Sequence, residues 1–405
     1  MSLKKYIPIN TLMAARARIS YTFDNFENIY VSFSGGKDST VMVHLVAEEA
    51  IRRNRKFAIL LIDLEAQYKM TIDHAHELFD KYSDIANIYW VCLPIKLRNA
   101  VSNFEPVWCC WDHSRKSDWV RNIPDTAISD INYFDFFWPN MEFEEFMVLF
   151  GEWYKRNHSN KNTAAFVGIR CDESLNRFRT IASLNKKMHK NHRFTTEVLN
   201  GLYNIYPIYD WKTEDIWRYH AINPQKCHNQ IYDQMYKAGL SIHQSRLCQP
   251  YGDDQKRGLW LYHVLEPETW YKVVARVNGV NSGSLYIQEK GNINGYNKIA
   301  KPEGHTWKSF CNLLLSTMPE VTRSHYIPKF QSQLEAWAKR GYVNGIPDEA
   351  PLVLENKKWC PSWRRFCKVL LRNDWWCKGL GLTQPKSDAY QKYLEIKKEK
   401  KAENG

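Results

Sequence analysis

The sequence predicts an α/β fold built on a parallel sheet, and three observations carry that expectation. Strand-like apolar runs alternate with amphipathic helix-like runs over roughly the first 245 residues. One of them, FAILLID (57–63), is apolar almost throughout, as a strand covered on both faces must be. The first strand stops at SGGKDST (34–40), and a helix-forming run begins at once.

Taken in order, TLMAARARIS (11–20) reads as a short helix, with Thr11 near its start. NIYVSF (28–33) alternates apolar and polar and suits a strand. VMVHLVAEEAIRR, from Val41, is helical by length and composition. FAILLID is the second strand. Residues 69–83 follow as a helix, with Ile72, Ala75, Leu78 and Phe79 at helical spacing. NIYWVCL (87–93), AAFVGI (164–169) and LYNIYPI (202–208) are the third, fourth and fifth strands. The long segment between the third and fourth, about 96–160, is rich in Trp and Phe and reads as an insertion with a helix near 141–157. Past about 245 the βα rhythm fades. The expected organisation is a nucleotide-binding domain at 1–245 and a mixed α/β C-terminal domain at 246–405. The latter has a Gly/Asn-rich hairpin or loop at 277–298 and a charged, fraying end.

Bulk composition narrows the partners. Net charge is +12 and the pI about 9.0, which favours anionic ligands: nucleotides, DNA or RNA, or acidic protein faces. The N-terminal MSLKKYIPINTL lacks the apolar core of a signal peptide, and no run approaches the ~20 apolar residues of a membrane span. Ten cysteines in 405 residues are too few for a disulfide scaffold, so a reducing, cytoplasmic setting is expected.

In a doubly wound sheet, ligands sit beyond the carboxyl ends of the strands. Ser34 to Thr40 lies at such an end. The unpaired N–H groups of a glycine-rich turn and of the first helical turn, with the helix dipole, make an anion cradle there. Gly35 and Gly36 allow close approach of backbone to ligand. Ser34, Ser39 and Thr40 offer hydroxyls, and Lys37 a mobile positive charge. Asp38 would repel phosphate unless it holds Mg²⁺, caps the helix or orients Lys37. The pattern is not the Walker A motif, which requires G-x-x-x-x-G-K-[ST].

A second constellation, GIRCDESLNRFRT (168–180), follows the fourth strand. Arg170 would leave the strand toward the same crevice, and arginine suits forked recognition of phosphate or sulfate. Asp172 and Glu173 can hold Mg²⁺ or pair with Arg177 and Arg179. YPIYDWKTEDIWRYH (206–220) then gives a helix from Lys212 or Thr213, a lid or a packing helix, with Trp211 and Trp217 read as packing residues. KKWCPSWRRFCKVLLRNDWWCKG (357–379) reads as a core-docking helix with Phe366, Val369 and Leu370 inward, against a nucleic-acid-binding alternative.

SGGKDS resembles the PP-loop of the ATP-pyrophosphatase superfamily, in which S-G-G-x-D-S binds the pyrophosphate of ATP. The three blocks in this order resemble the phosphoadenosine-phosphosulfate (PAPS) reductase family, over about 25–245. The resemblance implies an adenine-nucleotide α-hydrolase-like fold: a parallel five-stranded sheet with flanking helices. It implies ATP or a related adenine nucleotide as ligand, with Mg²⁺. The candidate nucleotide-binding set is Ser32, Ser34, Gly35, Gly36, Lys37, Asp38, Ser39, Thr40, Asp63, Gly168, Arg170, Asp172, Glu173 and Arg177. Lys37, Asp38 and Arg170 are the candidate catalytic residues. The C-terminal half, with RLCQPYGDDQKRGLWLYHVLEPETW (246–270), looks like a subfamily that resembles a regulator of immunoglobulin-binding surface proteins and is paired with a ParB-like partner.

The chain departs from the reductase pattern. A Glu-Cys-Gly-like nucleophile is absent near the C-terminus, since Cys377 sits in WWCKGL. Cys109-Cys110 has no downstream Cys-x-x-Cys, which argues against a four-cysteine iron–sulfur cluster. Cys109, Cys110, His113 and Cys248 have the ligand types of a zinc site, weighed against ordinary thiols. Three functions follow: adenylation of an acceptor with release of pyrophosphate, sulfonucleotide reduction using Cys171 or an external thiol, and nucleotide-sensing regulation through DNA or a protein partner.

Overall fold

The computed structural model describes residues 8–183, 185–253, 258–280 and 299–383. Most of the Gly/Asn-rich stretch and the charged end lie outside the described residues. The chain divides into two units: one of 1–95, 110–247 and 264–266, the other of 96–109, 248–263 and 267–405.

The first unit is a six-stranded sheet. Its strands are β1 (Asn28–Phe33), β2 (Phe57–Ile62), β3 (Ala86–Val91), β4 (Thr163–Val167), β5 (Thr195–Leu199) and β6 (Leu202–Ile205), in the order β3-β2-β1-β4-β6-β5. Five strands run parallel, and these are the five expected from the sequence. The sixth, β5, is an antiparallel edge strand, joined to β6 through Asn200-Gly201. An Asn-Gly pair between two β-forming runs is a hairpin signal. Helices α1 (Thr11–Asn25), α2 (Lys37–Arg53), α3 (Lys69–Tyr82), α4 (Phe143–Asn157), α5 (Leu175–Ala182), α6 (Thr213–Ile222) and α7 (Ile231–Lys237) complete the unit.

Burial explains the pattern. Every residue of β2 is buried, as is most of β1 and β4, because a central parallel strand has helices on both faces. Helix α2 is buried on most of its length, from Ser39 to Ala47, and ends where Asn54 takes a left-handed conformation. Part of the insertion returns to the sheet through two buried carboxylates after β2. Asp63 accepts from Trp90 Nε1 at 2.8 Å and from the Glu65 N–H at 3.0 Å, and pairs with Arg121. Glu65 accepts from the N–H groups of Trp111 (2.7 Å) and Val120 (3.2 Å).

The second unit is mixed α/β, but its strands lie before residue 246. Lys96–Arg98 and Val107–Cys109 pair antiparallel, and the elements among the described residues from 267 onward are helices. Trp307–Thr317, Glu320–Ala338 and Trp363–Leu371 enclose a core that includes Trp307, Tyr326, Phe330, Phe366, Val369 and Leu370. Asn373 donates to the Ala100 (2.9 Å) and Ser102 (3.1 Å) carbonyls, tying in the 96–109 segment. In the basic-aromatic run, Ser362 caps the helix, Arg365 is buried and donates to the Cys360 and Gly379 carbonyls, and Arg364 holds Glu349 and Glu355. Among the described residues no helix is long and apolar enough to cross a membrane.

Candidate active site

The strand order creates the site. From β1 the chain moves outward to β2 and β3, then returns to place β4 on the other side of β1. The crevice beyond the carboxyl ends of β1 and β4 is therefore the topological switch point of the sheet, where open α/β folds bind ligands. Ser34–Thr40 leaves β1 there, and Gly168–Glu173 leaves β4 there.

The loop is shaped by its two glycines. Gly35 has φ +72°, and a Cβ on it would lie 2.5 Å from Thr71 Cγ2. Gly36 is the N-cap of α2 and offers no side-chain cap. Ser39 Oγ turns back to the Gly36 carbonyl (3.0 Å) and accepts from the Ser34 N–H (3.2 Å), while Thr40 Oγ1 donates to the same carbonyl at 2.9 Å. The hydroxyls thus brace the loop internally. The N–H groups of Asp38 and Ser39 have no acceptor among the described residues, which leaves the first turn of α2 as the donor face. Gly168 lies over that turn: a Cβ there would meet Asp38 C and Ser39 N at 3.2 Å.

The charged candidates occupy places that the sequence did not specify. Lys37 is not a mobile charge. It is buried, its Nζ donates to the Ser245 carbonyl at 3.1 Å, lies 3.6 Å from Asp38, and faces the Tyr232 ring with 5.3 Å to the centroid. Burial pulls its pKa down, with Asp38 opposing that shift and Arg170 adding to it. The backbone N–H of Lys37 donates to Tyr232 Oη at 3.1 Å. Arg170 is 2% exposed and is occupied by carboxylates: Asp38 at Nε, Asp172 at 2.6 Å, and Glu173 at 3.8 Å. Glu173 also pairs with Arg177. Asp38 is thus held between Lys37 and Arg170, neutralised beside the donor face.

Asp63 is fully buried with both oxygens engaged as described above, and Ser32 sits within β1, opposite Leu60 and Val167 and two residues before Ser34. The buried Cys110 thiol faces the Leu93 and Ile95 carbonyls.

Sequence reasoning missed the contribution of residues 217–245. Asn229 donates to the Gly35 carbonyl (2.9 Å) and to Thr71 Oγ1 (3.0 Å), fixing the loop from outside. A cavity of about 450 Å³ adjoins the loop, lined by Trp217, Tyr232, Asp233, Tyr236, Lys237, Ile242 and Ser245. Trp211 is a packing residue, its Nε1 donating to the Thr11 carbonyl at 3.0 Å, whereas Trp217 is part of the cavity wall.

His220, buried beside the Trp217 and His228 rings, has its pKa pushed down to about 4, by burial first and by His228 second. The unfolded imidazole titrates near 6.5. A folded pKa below the unfolded one means that the unfolded chain takes up the proton first as pH falls. Its contribution is therefore intact above about 6.5 and is lost progressively down to about 4, by up to ~3 kcal/mol. Denaturant unfolding between pH 7 and 4 will show that decline, to which the buried His44 and His74, also held below the ordinary imidazole range, add their own, and His220→Leu will make it shallower. An equally steep decline in the variant would refute the assignment.

Comparison with known proteins agrees with this architecture. Residues 28–239 match the model described as the phosphoadenosine phosphosulfate reductase domain, and 239–346 match a domain of unknown function, DUF3440. The chain is 43% identical to the uncharacterized protein YbdN of Escherichia coli (strain K12), over all of this chain and 98% of that protein. Among solved structures, it is 13% identical to a PAPS reductase from Candida auris in a phosphate complex, with a TM-score of 0.28, covering 55% of this chain and 85% of that one. For the FMN adenylyltransferase of Candida glabrata in complex with ATP the identity is 14% and the TM-score 0.28, with 51% and 52% covered. The sheet, its order and the loop after β1 are those of the PP-loop adenine-nucleotide α-hydrolase-like fold. The chain belongs to the phosphoadenosine phosphosulfate reductase domain family, with a DUF3440 domain behind it.

Proposed function

We propose that this chain binds ATP, or a related adenine nucleotide, with its pyrophosphate on the Ser34–Thr40 loop, and transfers the adenylyl group to an acceptor with release of pyrophosphate. The observation that carries the reading is the convergence of the open first turn of α2 and the Gly168–Glu173 segment at the switch point of the sheet. Backbone donors and the α2 dipole suit phosphate oxygens. Lys37 swings from the Ser245 carbonyl to the charge that develops on the leaving pyrophosphate, and Asp38 guides it. Arg170 keeps Asp38 in place and acts as a positioning residue. Mg²⁺ would arrive with the nucleotide, since Asp38, Asp172 and Glu173 all face Arg170. The 450 Å³ cavity beside the loop falls within the range of small-molecule sites and offers an aromatic wall to an acceptor.

The test is pyrophosphate release from ATP with Mg²⁺ across a panel of acceptors, including sulfate and nucleobase carbonyls, together with calorimetry for ATP. Acceptor-dependent release is expected, falling by roughly 10²-fold or more in Lys37→Ala. No release with any acceptor, or release that survives both Lys37→Ala and Asp38→Ala, defeats the reading.

A second reading, sulfonucleotide reduction, rests on the family and on Cys171, a half-exposed thiol between Arg170 and Asp172. Thiol-dependent release of sulfite from PAPS, abolished by Cys171→Ser, would favour it over adenylation.

A further inference from the structure

A cluster outside the phosphate cradle has the composition and geometry of a metal site. Helix α3 carries His74 and Glu77 three residues apart, so both project from one face. Cys227 comes from the segment between α6 and α7. That segment is pinned in place: the Cys227 carbonyl accepts from His44 Nε2 (2.8 Å), and Asn229 bonds Gly35 and Thr71. One ligand atom from each of His74, Glu77 and Cys227 lies within 4.8 Å of the other two. A tetrahedral zinc centre, with bonds of about 2.0–2.3 Å, needs ligand atoms roughly 3.5 Å apart. Side-chain adjustment of about 1 Å closes that difference.

Hydrogen bonding leaves one histidine nitrogen for this role. Thr40 Oγ1 lies 2.9 Å from both the Gly36 carbonyl and His74 Nε2. When the hydroxyl donates to the carbonyl it accepts from an Nε2–H, and Nδ1 carries the lone pair. That nitrogen is buried and has no hydrogen-bond partner among the described residues, on a side chain only 3% exposed. A buried ring nitrogen without a partner, on a histidine grouped with a thiol and a carboxylate, needs one. A neutral imidazole, a thiolate and a carboxylate together bring two negative charges, which matches a divalent cation. A ligating histidine that donates its other ring N–H to an oxygen is the usual outer-shell arrangement.

We infer that His74 Nδ1, Cys227 Sγ and a Glu77 carboxylate oxygen bind one Zn²⁺ ion, with the fourth position open beside the exposed Glu77. Nitrogen, sulfur and oxygen donors in a tetrahedral set select zinc over magnesium or calcium. The ion would fasten α3 to the 223–230 segment, one hydrogen bond from the phosphate loop through Thr40. The site is independent of what the nucleotide does, so its test is a direct metal measurement.

The full chain, stripped with a chelator under reducing conditions, is titrated with Co²⁺ and then with Zn²⁺. One equivalent of Co²⁺ is expected to give tetrahedral d–d bands and a thiolate-to-cobalt charge-transfer band, both bleached by one equivalent of Zn²⁺. Cys227→Ser will abolish the charge-transfer band, and Glu77→Gln will weaken Zn²⁺ by at least about tenfold. Absence of a one-equivalent band in the parent overturns the inference, as does a band that persists in Cys227→Ser. If Cys227→Ser fails to fold, the surface substitution Glu77→Gln decides alone, and unchanged Zn²⁺ affinity there overturns it.

Discussion

Arg170→Ala will destabilise the first unit by about 3–5 kcal/mol, the scale of removing one partner from a buried ion cluster. The guanidinium is nearly inaccessible and serves Asp38, Asp172 and Glu173 together. Without it, Asp38 and Glu173, both largely buried, keep their charges with less compensation. Glu173 retains Arg177, and Asp38 retains only the more distant Lys37. Arg170→Lys will not restore the loss, because an ammonium cannot serve three carboxylates in a planar fork. Asp172→Asn will cost much less, since that carboxylate is 37% exposed. Denaturant unfolding of the full chain, followed by a probe in the first unit, measures all three. A loss below about 1 kcal/mol for Arg170→Ala would mean that the cluster contributes nothing net. Nucleotide binding should fall with it, because Asp38 borders the donor face.

Gly35→Ala will have the second large effect, and two causes contribute. At φ +72° a side chain adds about 1–2 kcal/mol of backbone strain. The new Cβ would also fall 2.5 Å from Thr71 Cγ2, an overlap worth roughly another 1–3 kcal/mol. The causes can be separated. Thr71→Ser removes the methyl but keeps the hydroxyl that accepts from Asn229. The double variant Gly35→Ala/Thr71→Ser should therefore recover the steric part and retain the strain. Nucleotide affinity, measured by calorimetry, should drop more than tenfold in Gly35→Ala and recover in part in the double variant. Equal losses in the single and double variants would show that the methyl contact is unimportant.

Lys37 and Asp63 show why the charges of this site depend on distant segments. From the sequence Lys37 reads as a mobile positive charge. Its partners, the Ser245 carbonyl and the Tyr232 ring, lie about two hundred residues away in the chain. Asp63 is a candidate ligand in the sequence, and the tertiary structure adds that it holds Trp90 and Arg121. The edge strand β5 was overlooked although its Asn-Gly turn was visible, because the five apolar parallel strands already accounted for the sheet.

What the chain announced unaided was encoded in contiguous residues. Apolar runs of strand length, helix-spaced apolar faces and the two glycines of SGGKDST act on their own neighbourhoods, so the parallel sheet and the phosphate-type loop could be read in order. What waited for the tertiary structure was every relation between distant segments. The capture of Asp38 by Arg170, the bracing of the loop by Asn229 and Tyr232, the transfer of residues 96–109 to the second unit, and the meeting of His74 with Cys227 are all of this kind. The reason is physical. Burial and backbone preference are short-range properties of the sequence, whereas a charge pair or a ligand set depends on which remote surfaces the fold brings within a few ångströms.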